Sequence, residues 1–167
     1  MNDLVDDLVG AWAEERPELN CDALEAVVRI QLLGKLLSES AEEALEEHGL
    51  KLWEYDVLSA LRRQGKPYVL APSDLARESL LTSGTITTRI DRLQDRGLVE
   101  RTRDATDRRA VRIRLTREGK RVIDTAVATR VDRAERQLAC LSNRELDTLA
   151  SKLRKILRNS VEQQPVA

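Results

Sequence analysis

The chain contains no phenylalanine, and its aromatic residues number only four in 167 positions. Cysteine is equally sparse. Cys21 and Cys140 lie far apart, no C-x-x-C occurs, and His48 is the single histidine. That is too little for a structural zinc site built by one chain. The same scarcity leaves no nucleophile–base pair and no metal cluster, so an enzyme such as a hydrolase has no site to work from, and no cofactor is expected. His48, just before Gly49 at the end of an acidic helix, is read as complementing the helix dipole. Both cysteines are read as small apolar filler. A redox-sensing role for Cys21 or Cys140 stays as the alternative, because a thiol near a helix start has a lowered pKa. No apolar run approaches the roughly 20 residues of a membrane span. The opening MNDLVDDLVGAWAEE is acidic, with no positive stretch and no cleavage site; a cytoplasmic protein with no membrane partner is expected. Internal repeats and low-complexity linkers are absent too. The length suits one structural domain with a sizeable core.

What the chain does have is charge, unevenly placed. The net charge is −1. Residues 1–60 carry 4 basic and 15 acidic side chains, whereas residues 82–121 carry 12 basic and 6 acidic. A basic patch on a near-neutral chain fits a partner such as double-stranded DNA, bound without indiscriminate sticking. A solvated charged face is the plainer reading, and local structure has to decide between them.

The apolar periodicity predicts mostly helix. Asn2 or Asp3 to Glu15 forms a short amphipathic helix through Leu4, Leu8 and Trp12, and Pro17 stops it. Trp12 on this short terminal helix is an anchor into a larger body or the wall of a pocket. Asp22 to His48 is a long helix whose apolar band is broad at first and narrows into SESAEEALEEHG, with Gly49 as a left-handed cap. Lys51 or Leu52 to Arg63 follows, with Asp56 among its apolar positions. Tyr68–Ala71 is a short strand, Pro72 starts a helix, and Ser73 or its neighbour caps it. Thr116 opens a helix to about Leu138. Ser142 and Glu145 form a capping box for a last helix along Leu146, Leu149, Leu153, Ile156 and Leu157, and Gln163–Ala167 is a frayed tail. The terminal helices have more apolar surface than a small winged domain can cover. A two-fold homodimer is therefore expected, rather than a monomeric bundle.

Between these helices, Ser73 to Gly119 reads as helix, turn, helix and basic hairpin: a winged helix-turn-helix, whose second helix enters the major groove of DNA. At about 100° per residue, Ile86, Ile90 and Leu93 define the buried side of that second helix. Ser83, at its tip, with Thr85, Thr87, Thr88 and Arg92 are then the base and phosphate candidates. On the hairpin, Arg103, Arg108 and Arg109 suit the minor groove, where negative potential is focused, and Asp104 and Asp107 shape the turn. Arg89 falls only about 60° from the core axis. A half-buried guanidinium needs a partner. Two roles stand open: an ion pair with Asp56, which the geometry favours, or a contact with an anionic ligand.

The run ITTRIDRLQDRGLVER and the wing DATDRRAVRIRLTREG, with D-x-x-D-x-R at Asp104, Asp107 and Arg109 and L-T-x-x-G at Leu115, Thr116 and Gly119, resemble the MarR family of bacterial transcription regulators. W-x-x-E-R-P-E-L, E-Y-D-V-L and T-x-R-I-D-R-L are similar to its urate-responsive HucR/PecS branch. The resemblance implies a mainly α fold with a small β-wing, in a triangular dimer with an added N-terminal helix. It implies residues 1–48 as dimerisation helices and pocket wall, 49–119 as the DNA-binding lobe, and 120–167 as further dimerisation helices. It also implies a repressor that occupies a pseudo-palindromic promoter site and is released by a small anion such as urate or a related purine or carboxylate; a DNA-binding protein that needs no ligand is the alternative beside the redox sensor. By resemblance, Trp12, Asp56, Arg89 and Arg101 are the ligand-binding residues.

Overall fold

The computed structural model describes residues 2–79, 83–103 and 110–162. Thr82, the wing-tip positions Asp104, Asp107, Arg108 and Arg109, and the tail from Gln163 fall outside the described residues.

The chain opens with α1 (Leu4–Glu15) and α2 (Asp22–Glu46). Asp3 caps α1 reciprocally with Asp6, which satisfies backbone N–H groups that the first turn leaves free. Arg29 on α2 then donates to Asp3, Asp6 and Glu25, at 2.8, 2.6 and 2.5 Å. These contacts hold the start of α1 against α2 over the buried Val5. The long helix stops two residues before His48. The N–H groups of Gly49 and Leu50 turn back to the carbonyls of Glu46 and Leu45, and Gly49 sits at φ +61°, where any Cβ would be strained. His48 has a more specific place than a dipole complement: its Nε2 lies 2.8 Å from Thr129 Oγ1 on α6 (Arg117–Gln137).

The winged lobe follows as α3 (Leu52–Arg63), β1 (Val69–Leu70), α4 (Pro72–Glu78), α5 (Ser83–Asp95), β2 (Val99–Arg103) and β3 (Val111–Leu115). Ser73 is not the cap of α4. Pro72, with its fixed φ, takes the first helical position and leaves the extended Ala71 as the cap. The sheet is antiparallel in the order β1-β3-β2. Val99 faces Leu115, Arg101 faces Ile113, and Arg103 faces Val111. Alternation then sends Val99, Ile113 and Leu115 inward and Arg114 outward. β2 begins only after Leu98, because the Leu98 N–H is used to close α5 onto Leu93.

The core is concentrated in this lobe. Leu58 and Leu61 of α3, Leu75 of α4, Ile86, Ile90 and Leu93 of α5, and Ile123 of α6 (Arg117–Gln137) are all buried. Burial of each such side chain contributes about 1.5–3 kcal/mol. Arg62 and Lys120 both reach Asp124, which joins α3 to α6 and holds that carboxyl below its usual range. Outside the lobe many of the large apolar residues stay uncovered, among them Leu4, Leu33, Leu36, Val131 and Leu157. No residue of α7 (Asn143–Glu162) is buried, although Ser142 and Glu145 do form its capping box. The cysteines are not buried filler. Cys21 is the half-buried N-cap of α2, and Cys140 is exposed in the turn before α7, because a single chain places no layer over these helices.

Candidate nucleic-acid interface and ligand cavity

The outward face of α5 is built as the angular reading required. Ile86, Ile90 and Leu93 are buried, while Thr85, Thr87, Thr88 and Arg92 are exposed. Ser83 opens the helix, and its side chain lies outside what the structure describes. Arg103 is exposed at the end of β2. A threonine-rich helix face beside a basic hairpin offers hydroxyls and methyls to base edges and guanidinium groups to phosphates.

Arg89 is half-buried, as its angle predicts, but its partner differs from the expected one. Its guanidinium lies 5.2 Å from the ring centre of Trp53 rather than in an ion pair with Asp56. Both residues line a cavity of about 920 Å³ between the end of α2, the face of α3, the end of α4 and the inner shoulder of α5. Asp56 is on the same wall. Burial pushes its carboxyl up, and Arg130, Arg63 and Arg89 pull it back down. The remaining acids on the walls, Glu42, Glu46 and Glu78, are exposed, so Asp56 and Arg89 are the half-buried charges of the site.

Two of the four residues assigned to the ligand by resemblance are elsewhere. Trp12 is 46% exposed on α1 and is not a wall of the cavity. Arg101 lies on the outer side of α5, donating to Asp91 at 2.5 Å and to Gln94 at 3.0 Å. It fastens the wing to the recognition helix. The aromatic wall is Trp53 instead. Its spacing of three residues from Asp56 puts both on one face of α3, and that spacing was the available signal. Among the described residues, no group of three or more His, Cys, Asp or Glu stands close enough to hold a metal ion.

The far end of α5 is tied down by a pair that sequence reasoning did not single out. Glu54 on α3 is 4% exposed. Its Oε2 accepts from Arg96 Nη1 at 2.6 Å and from the Lys51 N–H at 2.9 Å, and Arg96 Nη2 donates to Gly49 O at 2.9 Å. Loss of one partner from a fully buried pair costs about 3–5 kcal/mol. Arg96 is 40% exposed, so solvent screens part of that. Arg96→Ala is expected to cost about 1–3 kcal/mol in urea unfolding. A loss under about 0.5 kcal/mol, within the range of ordinary surface changes, would show that water replaces the guanidinium without penalty.

The sequence model of the MarR family matches residues 48–110, which span the lobe from the end of α2 to the wing. The HTH-type transcriptional regulator PecS of Dickeya dadantii (strain 3937) is 30% identical over 157 residues, covering 94% of this chain and 95% of PecS. The chain belongs to the MarR family. It is a MarR-family transcriptional regulator, with the DNA-binding winged helix-turn-helix of that family. Solved structures agree in fold. AbsC, a MarR-family transcriptional regulator from Streptomyces coelicolor, superposes with a TM-score of 0.76 at 24% identity over 87% of this chain and 99% of that one. CouR from Rhodococcus jostii RHA1, solved bound to p-coumaroyl-CoA, superposes with a TM-score of 0.68 at 27% identity over 87% of this chain and 96% of CouR. Among the described residues, no helix of this MarR-family chain is long and apolar enough to cross a membrane.

Proposed function

We propose that this regulator occupies a pseudo-palindromic promoter site as a homodimer, represses there, and is released by a small planar anion, either urate or a related purine or carboxylate. One observation carries the reading. A single helix, α5, presents Thr85, Thr87, Thr88 and Arg92 outward and Arg89 to a cavity on its inner shoulder. Any change in where Arg89 is held is therefore a change in the element that reads DNA. Arg89 rests on Trp53 by a cation–π contact, worth about 0.5–2 kcal/mol. An anion in the cavity offers it a stronger partner and removes it from the ring. Asp56 then faces an added negative charge across the same space. Arg101, bonded to Asp91 on the outer face of α5, carries a displacement of the helix to the wing. The two recognition helices leave the spacing of about 34 Å that successive major grooves require.

Gel-shift titration on the promoter region of its own gene tests this. A sequence-specific shift is expected, weakening steeply as salt rises because arginine–phosphate contacts dominate the affinity. Urate is expected to lower the apparent affinity about tenfold or more, an ordinary coupling for linked sites. Arg89→Ala should bind DNA and lose the response to urate. Binding that is salt-dependent but indifferent to DNA sequence refutes the operator reading. A specific complex that neither urate nor benzoate weakens refutes the effector.

A further inference from the structure

Arg63 is the last residue of α3 and lines the same cavity as Arg89. Helical spacing puts it there. Trp53, Asp56 and Arg63 follow at three and then seven residues, so all three share the face of α3 that forms the cavity wall. Arg62, one residue earlier, points to Asp124 instead. Arg63 is exposed, yet its side chain is held. Its Nη1 donates to Oγ of Ser59 at 2.9 Å, and Ser59 is 6% exposed. That bond draws the guanidinium back over the preceding turn. Arg89 is held by the ring of Trp53. Each of the two guanidiniums is thus aimed by a neutral partner. Glu42, Glu46, Asp56 and Glu78 share the wall, but among the described residues neither arginine forms an ion pair with any of them. Burial pushes the Asp56 carboxyl up, and Arg130, Arg63 and Arg89 oppose it, so both cavity arginines are within reach of its charge. A guanidinium has five N–H donors in a fixed fork. Ser59 takes one of those of Arg63. The levels of Trp53 and Ser59 on α3 are about 9 Å apart along the axis, at about 1.5 Å per residue. A single carboxylate, at about 2.8 Å from each donor, does not span that gap. A ring with an acceptor at each end does.

We propose that Arg63 is a second anchor of the effector cavity, which therefore takes planar molecules with an acceptor group at both ends, dicarboxylates and oxopurines rather than monocarboxylates. Arg89 holds one end and Arg63 the other, with the ring against Trp53. The inference rests on the effector reading above and names its ligand class. It also gives the ligand a fixed point. Arg63 belongs to α3, which Arg62 and Asp124 join to α6, whereas Arg89 belongs to the recognition helix. A molecule held at both ends draws α5 against the body of the lobe. A monocarboxylate neutralises Arg89 and has nothing to pull from.

Calorimetric titration of the full-length protein with benzoate, terephthalate and urate, for wild type, Arg63→Ala, Lys51→Ala and Arg89→Ala, tests this. Wild type is expected to bind terephthalate and urate at least about tenfold more tightly than benzoate, the usual contribution of a hydrogen bond to a charged group. Arg63→Ala should remove that advantage and change benzoate binding less than about twofold. Lys51→Ala removes another cation of the same wall and should change all three less than about twofold. Arg89→Ala should weaken all three. The ligand-free melting temperature of Arg63→Ala should stay within about 4 °C of wild type, since an exposed arginine with one hydrogen bond is lost. Equal weakening of benzoate and terephthalate in Arg63→Ala, or equal losses in Lys51→Ala, would mean that the ligand senses the charge of the wall and not a placed guanidinium, and either result overturns the assignment. A larger fall in melting temperature overturns it too, by making Arg63 a support of α3. If wild type binds none of the probes, the effector reading fails and this inference with it. If Arg89→Ala loses all three while Arg63→Ala binds them like wild type, the assignment of Arg63 alone fails.

Discussion

Gly119→Ala is expected to lower the melting temperature by about 6–20 °C, an effect opposite to the one helix propensity predicts. Gly119 is in the first turn of α6, where alanine would by itself stabilise by up to about 1 kcal/mol. The surroundings reverse the sign. A Cβ built on Gly119 meets the backbone oxygen of Leu98 at 2.0 Å and Leu115 Cδ1 at 3.0 Å. The first neighbour is main chain and cannot swing aside. Relief requires α6 to move away from the start of β2, and the same junction is held by Thr116. Its N–H donates to Leu98 O at 3.1 Å, its hydroxyl donates to Gly97 O at 2.8 Å, and the same oxygen accepts the Gly119 N–H at 2.9 Å. Overpacking costs about 1–3 kcal/mol, occasionally more, and each loosened hydrogen bond adds about 1. The sum is about 3–5 kcal/mol, which at about 2–4 °C per kcal/mol for a chain of this size gives the stated shift. A calorimetric scan reads it directly, and a melting point within 2 °C of wild type would mean that the two segments separate freely.

Gly119 also shows how far the sequence could be read. As the last letter of L-T-x-x-G it was visible as a motif position. The carbonyl that makes glycine necessary comes from Leu98, twenty-one positions earlier, and only folding brings it there. The recognition helix was legible because one period determines its faces: Ile86, Ile90 and Leu93 had to point one way, and Thr88 the other. Arg89 was correctly placed on the boundary by the same arithmetic. Its neighbour was not legible, because whether Asp56 or Trp53 meets a guanidinium depends on the rotation of α3 against α5, and no local pattern encodes that. Glu54 and Arg96 were missed for the same reason. Each is an ordinary polar residue in its own helix and becomes special through burial against another element. Trp12 and Arg101 entered through resemblance rather than geometry, and the single chain keeps both away from the cavity.

Charging the exposed stripe of α7 is expected to abolish operator binding while leaving the winged lobe folded. Leu153, Ile156, Leu157 and Val161 are 41–65% exposed in one chain, and with Leu149 they follow the helical period. On the other terminal segment Leu4, Leu8 and Trp12 of α1 and Leu33 and Leu36 of α2 are exposed in the same way. Two copies related by a two-fold axis would cover these faces, and every substitution in such an interface acts twice. Leu153→Glu with Ile156→Glu would place four carboxylates in it. Each replaces an apolar side chain whose burial contributes about 1.5–3 kcal/mol, so the dimer loses at least several kcal/mol before the cost of burying charge is added. The core of Leu58, Leu61, Ile86, Ile90, Leu93 and Ile113 takes nothing from α7, so the circular dichroism of the monomer should stay mainly helical. Operator affinity should nevertheless fall at least about 100-fold. A monomer engages one half-site and forfeits the effective concentration that tethering gives the second. Light scattering after gel filtration, paired with gel shifts on full and half operators, separates the possibilities. A wild type that elutes as a monomer, or a doubly charged variant that still dimerises and shifts the full operator like wild type, would remove the terminal helices from the interface. A variant that is monomeric yet binds the full operator undiminished would instead show that one winged lobe is sufficient for recognition.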